Sequence, residues 1–291
     1  MVYQPKEVPE DINVTPVHPL VNFAYLLGTV VIVSGLAYLG LGAIASHLAT
    51  RISPEMEAKI GRQLVSEIAA EDLQLNPRQE KYLTTLLASL DDSDSDRHTS
   101  LTIHVQKSEI ANAAILPGGH IILNTKLLQE AKSENELAFV LAHEIGHHVA
   151  RDPLKGMGRS LVLLTIVSVL GIGSGDTNVV GITGSITSLH YSRQQESAAD
   201  IYALSAIVDR YGHGDASLDF FNRIQTEHRD SRGKLSTYFS THPLTQTRID
   251  DLYLVAKQKN WKMEGEITSL PAGIFDKFET KKSPKKLRDS E

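Results

Sequence analysis

Hydrophobic positions along this chain change rhythm once, and sharply. Residues 21–46 form an almost uninterrupted apolar run, and no Asp, Glu, Lys or Arg stands between Asp11 and Arg51. A helix of about 20 apolar residues spans a bilayer core, so the run predicts a transmembrane helix over 21–49 with room for tilt. The polar, Pro-containing stretch 1–20 predicts no fixed structure. It carries Glu7, Glu10 and Asp11 against Lys6, unlike the basic start of a cleavable signal peptide.

Past Arg51 the pattern is that of a folded domain, expected over 52–260. Met56, Ile60, Leu64 and Ile68 recur at helical spacing from Pro54 to about Leu73. Asn76 before Pro77 starts a second helix, which holds Leu83, Leu86, Leu87 and Leu90 and ends in the Asp- and Ser-rich run 91–96. Strands are expected at Leu101–Val105, Glu109–Leu116 and His120–Asn124, the last two joined by a Pro117-Gly118-Gly119 turn. A helix follows from about Thr125. Ser133 and Glu136 form a capping box ahead of another, which runs to about Arg151.

A second apolar stretch, 160–191, is short and glycine-containing. Its length favours a hairpin buried or interfacial over the neighbouring site, rather than one dipping into the membrane. Further helices are expected from Gln194 to about Arg210, over 215–230, and from near Pro243. A flexible charged tail is expected over 261–291. Lys6 precedes the span, whereas Arg51, Lys59 and Arg62 follow it; counting Lys and Arg places the folded domain on the cytoplasmic side.

Composition narrows the chemistry. The net charge is −6, and no basic stripe interleaved with aromatics occurs, so no nucleic-acid partner is expected. With no cysteine in the chain, disulfides, thiol catalysis and Cys-metal sites are excluded. Any metal must be held by His and carboxylate.

The helix after Ser133 reads His143-Glu144-Ile145-Gly146-His147. Residues four apart share a helix face, so His143 and His147 can present two imidazoles to one Zn²⁺, with Glu144 beside them as general base. Such a motif also arises by chance and needs a third ligand. Ala150 and Pro153 stand where a metzincin would extend the motif with Gly and His, so that class is out. The later helix offers Glu196 and Asp200 at i and i+4, separated by Ser197, Ala198 and Ala199. Those small residues allow close packing on the first helix, and Asp200 stands where it can orient a ligand histidine.

Asn112-Ala113-Ala114-Ile115-Leu116-Pro117-Gly118-Gly119-His120, His143-Glu144-x-x-His147, Arg193-x-x-Glu196-x-x-x-Asp200 and Thr241-His242-Pro243 with Arg248 occur in that order. Over roughly residues 55–258 the chain resembles the membrane-associated gluzincin peptidases that include HtpX, BepA and the CAAX prenyl proteases. The resemblance implies an α+β, mainly α-helical fold, a zincin (gluzincin) metallopeptidase domain with a small β-sheet after one transmembrane helix. It implies one Zn²⁺ on His143, His147 and Glu196, with Glu144 as catalytic base. It also implies that the strand around Asn112, Ala113, Ala114 and Ile115, with Pro117, Gly118 and Gly119, is a sheet edge that binds extended polypeptide, a mode making little demand on side chains.

His242 is open between oxyanion stabiliser, regulatory fourth ligand and packed helix-start histidine. Arg248 is open between the oxyanion and a carboxylate partner. HtpX and the CAAX proteases have several transmembrane helices, whereas the one clear span here favours a single-pass quality-control endopeptidase. The alternative is a membrane-tethered chaperone or adaptor with an idle zinc site. Oligomeric state is not legible from the sequence.

Overall fold

The computed structural model describes residues 18–49, 51–68, 73–91, 100–158, 190–219, 222, 242 and 246–278. The expected hairpin before His190, the expected disordered start at 1–17 and most of the expected 215–230 helix lie outside them. The chain forms two units, 1–44 and 45–291. Helix α1 (Pro19–Ala49) contains the one segment among the described residues long and apolar enough to cross a membrane, Pro19–Ile44, and none of it is buried.

The second unit runs α2 (Pro54–Ile68), α3 (Pro77–Ala88), β1 (Thr102–Gln106), β2 (Ala113–Leu116), β3 (His120–Asn124), α4 (Thr125–Glu130), α5 (Glu134–Val149), α6 (Arg193–Tyr211) and α7 (Gln246–Gln258). Local chemistry sets the helix starts. Asn76 Oδ1 accepts the Arg78 and Gln79 N–H groups, and Gln79 Oε1 accepts the Asn76 N–H, all at 3.0 Å, a complete capping box for α3. At α5, Ser133 Oγ accepts the Glu136 N–H at 3.1 Å. The Glu136 carboxylate, however, takes the Lys132 N–H at 2.9 Å, one residue earlier than expected. A full capping box opens α6, from Ser192 and Gln195, and Gly212 at φ 78° closes it, a left-handed position that glycine adopts without strain.

The sheet has the order β1-β3-β2. β3 is parallel to β1 (Thr102 beside His120) and antiparallel to β2 (Ala113 beside Leu123). β2 is therefore an edge strand. Its turn is covered: Pro117, Gly118 and Gly119, expected to belong to the peptide-binding edge, are buried. Helix α2 lies against them, so a Cβ on Gly61 would fall within van der Waals radii of the Pro117 carbonyl, and one on Gly118 would lie 2.9 Å from Ala58 Cα. This contact also rotates α2 from its expected phase. Glu57, Gly61 and Leu64 are buried while Met56 is 50% exposed, because the close approach demands glycine at the interface and the ion pair of Glu57 lies there too.

Helix α5 sits at the centre, and every residue from Glu134 to His147 is buried. Its apolar positions join Leu83, Leu86, Val105, Ile115, Ile121, Leu123, Ala203 and Ile207 in one core. Residues 261–278 are not the flexible tail expected there. They run as an irregular strap over this core, with Ile274 and Phe275 buried. The strap is tied by Glu134 N–H to the Thr268 carbonyl at 2.8 Å, Thr268 N–H to Asn135 Oδ1 at 2.9 Å and Gln79 Nε2 to the Ile274 carbonyl at 2.9 Å. A segment without regular periodicity carries no helical or strand signal, although its apolar residues were available to bury.

Candidate metal centre

The site forms where α5 and α6 nearly touch. Gly146 lies about one turn after His143 and directly before His147, and a Cβ on it would stand 2.9 Å from Ala199 Cα. Only glycine against a small residue allows that approach. It brings Glu196, on the facing turn of α6, between the two imidazoles: Glu196 Oε2 is 3.6 Å from His143 Nε2, and Oε1 is 3.6 Å from His147 Nε2. The two Nε2 atoms are 3.1 Å apart. His242 completes the group, with Nδ1 3.1 Å from Glu196 Oε1 and 3.3 Å from His143 Nε2. One ligand atom from each of His143, His147, Glu196 and His242 falls within 4.8 Å of the others, and all four residues are buried.

Hydrogen bonding behind the histidines decides what their inner nitrogens do. His143 Nδ1 faces Asp200 Oδ1 at 3.0 Å, and His147 Nδ1 faces Asp152 Oδ2 at 3.0 Å. With Nδ1 turned to a carboxylate, each ring in its neutral form can present its Nε2 lone pair to a shared metal. A tetrahedral zinc with bonds of about 2.0–2.1 Å would hold its nitrogen ligands about 3.3 Å apart, close to the 3.1 Å seen. The donor set thus fits zinc: two neutral imidazoles and one carboxylate.

Asp200 is held in turn by Arg248, whose Nε and Nη2 each donate to it at 2.7 Å. Nη1 of the same guanidinium lies 2.8 Å from Glu196 Oε2. Of the two roles open for Arg248, the structure shows the carboxylate pairing. Tyr191 stacks on His147 with ring centroids 4.0 Å apart. Asp152 and Tyr191 were not singled out from sequence. Asp152 follows the motif by five residues, beyond one helical turn, and meets His147 only because Arg151 takes a left-handed φ of 56° and reverses the chain. Nothing in the sequence marks a non-glycine residue for that conformation.

The electrostatics call for a cation. Burial opposes the charge of His143, yet Asp200 and Glu196 outweigh it and push its pKa up to about 9. Burial likewise opposes ionisation of Glu196, which His143, His147 and His242 hold well below the ordinary carboxylate range. Asp200 is lowered against its own burial by His143 and Arg248. Burial pushes His242 down. Glu144 is fully buried, and neither of its oxygens has a hydrogen-bond partner among the described residues; Oε1 lies 3.6 Å from His242 Nε2. Away from this centre, His104 Nε2 and His120 Nδ1 pair at 3.2 Å across β1 and β3.

Two histidines a turn apart on one helix, a glutamate between them and a third ligand from a second helix define a gluzincin-type metallopeptidase centre. Residues 77–255 match peptidase family M48. The chain belongs to that family. A Vibrio cholerae protein is 30% identical over 195 residues, 63% of this chain and 40% of its own length. The beta-barrel assembly-enhancing protease of Yersinia pestis is 25% identical over 221 residues, 72% of this chain and 45% of its own. The mitochondrial metalloendopeptidase OMA1 of Arabidopsis thaliana is 31% identical over 154 residues, 51% of this chain and 30% of its own. The chain thus spans less than half the length of these curated relatives.

Proposed function

We propose that the chain is a membrane-anchored zinc metalloendopeptidase that hydrolyses peptide bonds of misfolded or membrane-associated proteins. The observation that carries this reading is Glu144. A buried carboxylate without a hydrogen-bond partner among the described residues, beside a three-ligand set, is costly to keep in a purely structural site. It suits a group that must accept a proton. A bound zinc would lower the pKa of water at the site and polarise a carbonyl. Glu144 takes the proton of the attacking water and returns it to the leaving amine. The closeness of His242 Nε2 to Glu144 supports a role for it as donor to the developing oxyanion.

Extended polypeptide adds to the edge of β2 at Asn112–Ile115, where Asn112 and Ala114 are only half-buried and main-chain pairing supplies affinity. Helix α1 anchors the enzyme as a single pass. The three basic residues Arg51, Lys59 and Arg62 after it, against Lys6 before it, support a cytoplasmic domain.

A second reading is favoured by His242 lying within ligand distance of the group. As a fourth ligand it closes the site, and the chain is then a latent enzyme or a tethered chaperone. The test is metal content and casein cleavage by the full chain in detergent, as wild type, Glu144→Gln and His242→Ala, with and without chelator. The peptidase reading expects zinc in all three and chelator-sensitive cleavage by wild type that Glu144→Gln loses. Full activity of Glu144→Gln sinks it. Zinc without cleavage in wild type, with cleavage released by His242→Ala, supports the closed site.

A further inference from the structure

The carboxylates behind the two ligand histidines are held by different means. Asp200 is gripped by the Arg248 guanidinium. Asp152, 1% exposed, instead accepts from Gln195 Nε2 at 2.7 Å and Lys155 Nζ at 3.3 Å on Oδ1, while Oδ2 faces His147 Nδ1 at 3.0 Å. Gln195 is the third residue of α6 and the second half of its capping box: its Oε1 accepts the Ser192 N–H at 2.9 Å. That bond fixes which way the amide points. With the oxygen committed to Ser192, only the NH₂ group can face Asp152.

The consequences run in one direction. Asp152 receives an amide N–H and an ammonium, so it is the acceptor throughout. His147 must then donate from Nδ1, and the neutral ring keeps on Nε2 the lone pair that a metal needs. We infer that Gln195, acting through Asp152, fixes the ligand tautomer of His147, so that the capping turn of α6 is a positioning element of the metal centre. The next residue on that turn is Glu196, the third ligand. One capping box therefore sets a carboxylate ligand directly and an imidazole ligand at second hand, and couples the register of α6 to α5.

This inference rests on zinc being held by His143, His147 and Glu196. Its test is zinc affinity of the full chain in detergent, read by competition with a chelator, together with the visible spectrum of the cobalt-loaded protein and the helicity of the metal-free protein. Gln195→Glu retains the capping box, because Glu and Gln serve equally at that position, but replaces the donor to Asp152 with an acceptor. Asp152→Asn keeps the shape but cannot accept from His147 and Gln195 at once. Both variants are expected to keep the helicity of the metal-free protein, to bind zinc about 10- to 100-fold more weakly, and to shift the cobalt spectrum.

Unchanged zinc affinity in Gln195→Glu, whatever Asp152→Asn does, would overturn the inference and leave the metal site standing. A fall in affinity that only tracks lost helicity assigns Gln195 to the cap alone and overturns it too. Failure of the wild type to bind zinc strikes at the site itself, before either variant matters.

Discussion

Arg248 and Asp200 are joined by two hydrogen bonds of 2.7 Å, and through them α7 reaches the metal centre without touching the metal position. The pair is buried, and Asp200 passes its orientation on to His143 at 3.0 Å. Arg248→Leu leaves both Asp200 and Glu196 without their cation, and breaking a buried pair on one side costs about 3–5 kcal/mol. Arg248→Lys keeps the charge but loses the two-pronged geometry. Both are expected to melt at lower temperature and to hold zinc less tightly, with Lys intermediate. Arg248→Lys with wild-type zinc affinity would show that charge alone is enough.

Gly146 decides the α5–α6 distance. Replacing a helix-interior glycine by alanine ordinarily gains up to about 1 kcal/mol. Here the new methyl would stand 2.9 Å from a backbone carbon of Ala199, and backbone does not yield as a side-chain tip does. Overpacking of this kind costs about 1–3 kcal/mol, so Gly146→Ala is expected to destabilise despite the better propensity. Because α6 carries Glu196, zinc occupancy should fall as well, measured by metal analysis after dialysis. A variant that is more stable and fully loaded would show that the helices separate without cost to the site.

Much of this architecture was legible in the chain because it rests on short-range chemistry. His143 and His147 share a face by helical spacing alone, and Ser197, Ala198 and Ala199 signalled close packing beside Glu196. Caps at Asn76 and Ser133 marked helix starts. The misses are non-local. The phase of α2 is set by Gly61 against Pro117, 56 residues away and on another element. The strap at 261–278 is fixed by bonds to Gln79 and Asn135, which no periodicity announces. Asp152 joins the site through the backbone turn at Arg151, a conformation rare enough for arginine that residue type argues against it.

Glu134, at the start of the motif helix, offers a pH-dependent test of stability. Its carboxylate accepts from Tyr82 Oη at 2.9 Å, Arg210 Nη2 at 2.8 Å and Tyr211 Oη at 2.8 Å, so it staples α3, α5 and α6 together. Burial opposes its ionisation, but Arg210, Tyr211 and Tyr82 bring its pKa below the ordinary 4.5. A carboxylate lowered in the folded state stabilises the fold above its unfolded value and loses that contribution as pH falls through the folded one. Glu134→Gln is therefore expected to be less stable than wild type at pH 7, by about 1–3 kcal/mol. The gap should narrow as pH drops below about 4.5, as read from melting temperatures across pH. A gap that stays constant down to acid pH would assign the effect to packing, not charge.

Glu57 and Arg151 connect the segment following α1 to the turn after the motif helix. Arg151 donates to Glu57 Oε2 from Nε at 3.0 Å and from Nη2 at 2.7 Å, and Nη2 also reaches the Ile52 carbonyl at 2.6 Å. Both side chains are largely buried. Arg151 holds a left-handed backbone that costs about 1 kcal/mol or more for a residue with a Cβ, and the side-chain bonds offset that cost. If the pair acts as a unit, Glu57→Gln and Arg151→Ala will each destabilise, and the double variant will lose clearly less than the sum of the two. Arg151→Gly separates the contributions: it relieves the backbone but not the lost bonds, so it should sit above Arg151→Ala in stability. Since Asp152 is the next residue, loosening this turn should also weaken zinc retention in Arg151→Ala, whereas Glu57→Gln, which keeps the Ile52 bond, should retain more. Additive effects of the two substitutions on unfolding free energy would show that the turn is held by Ile52 alone.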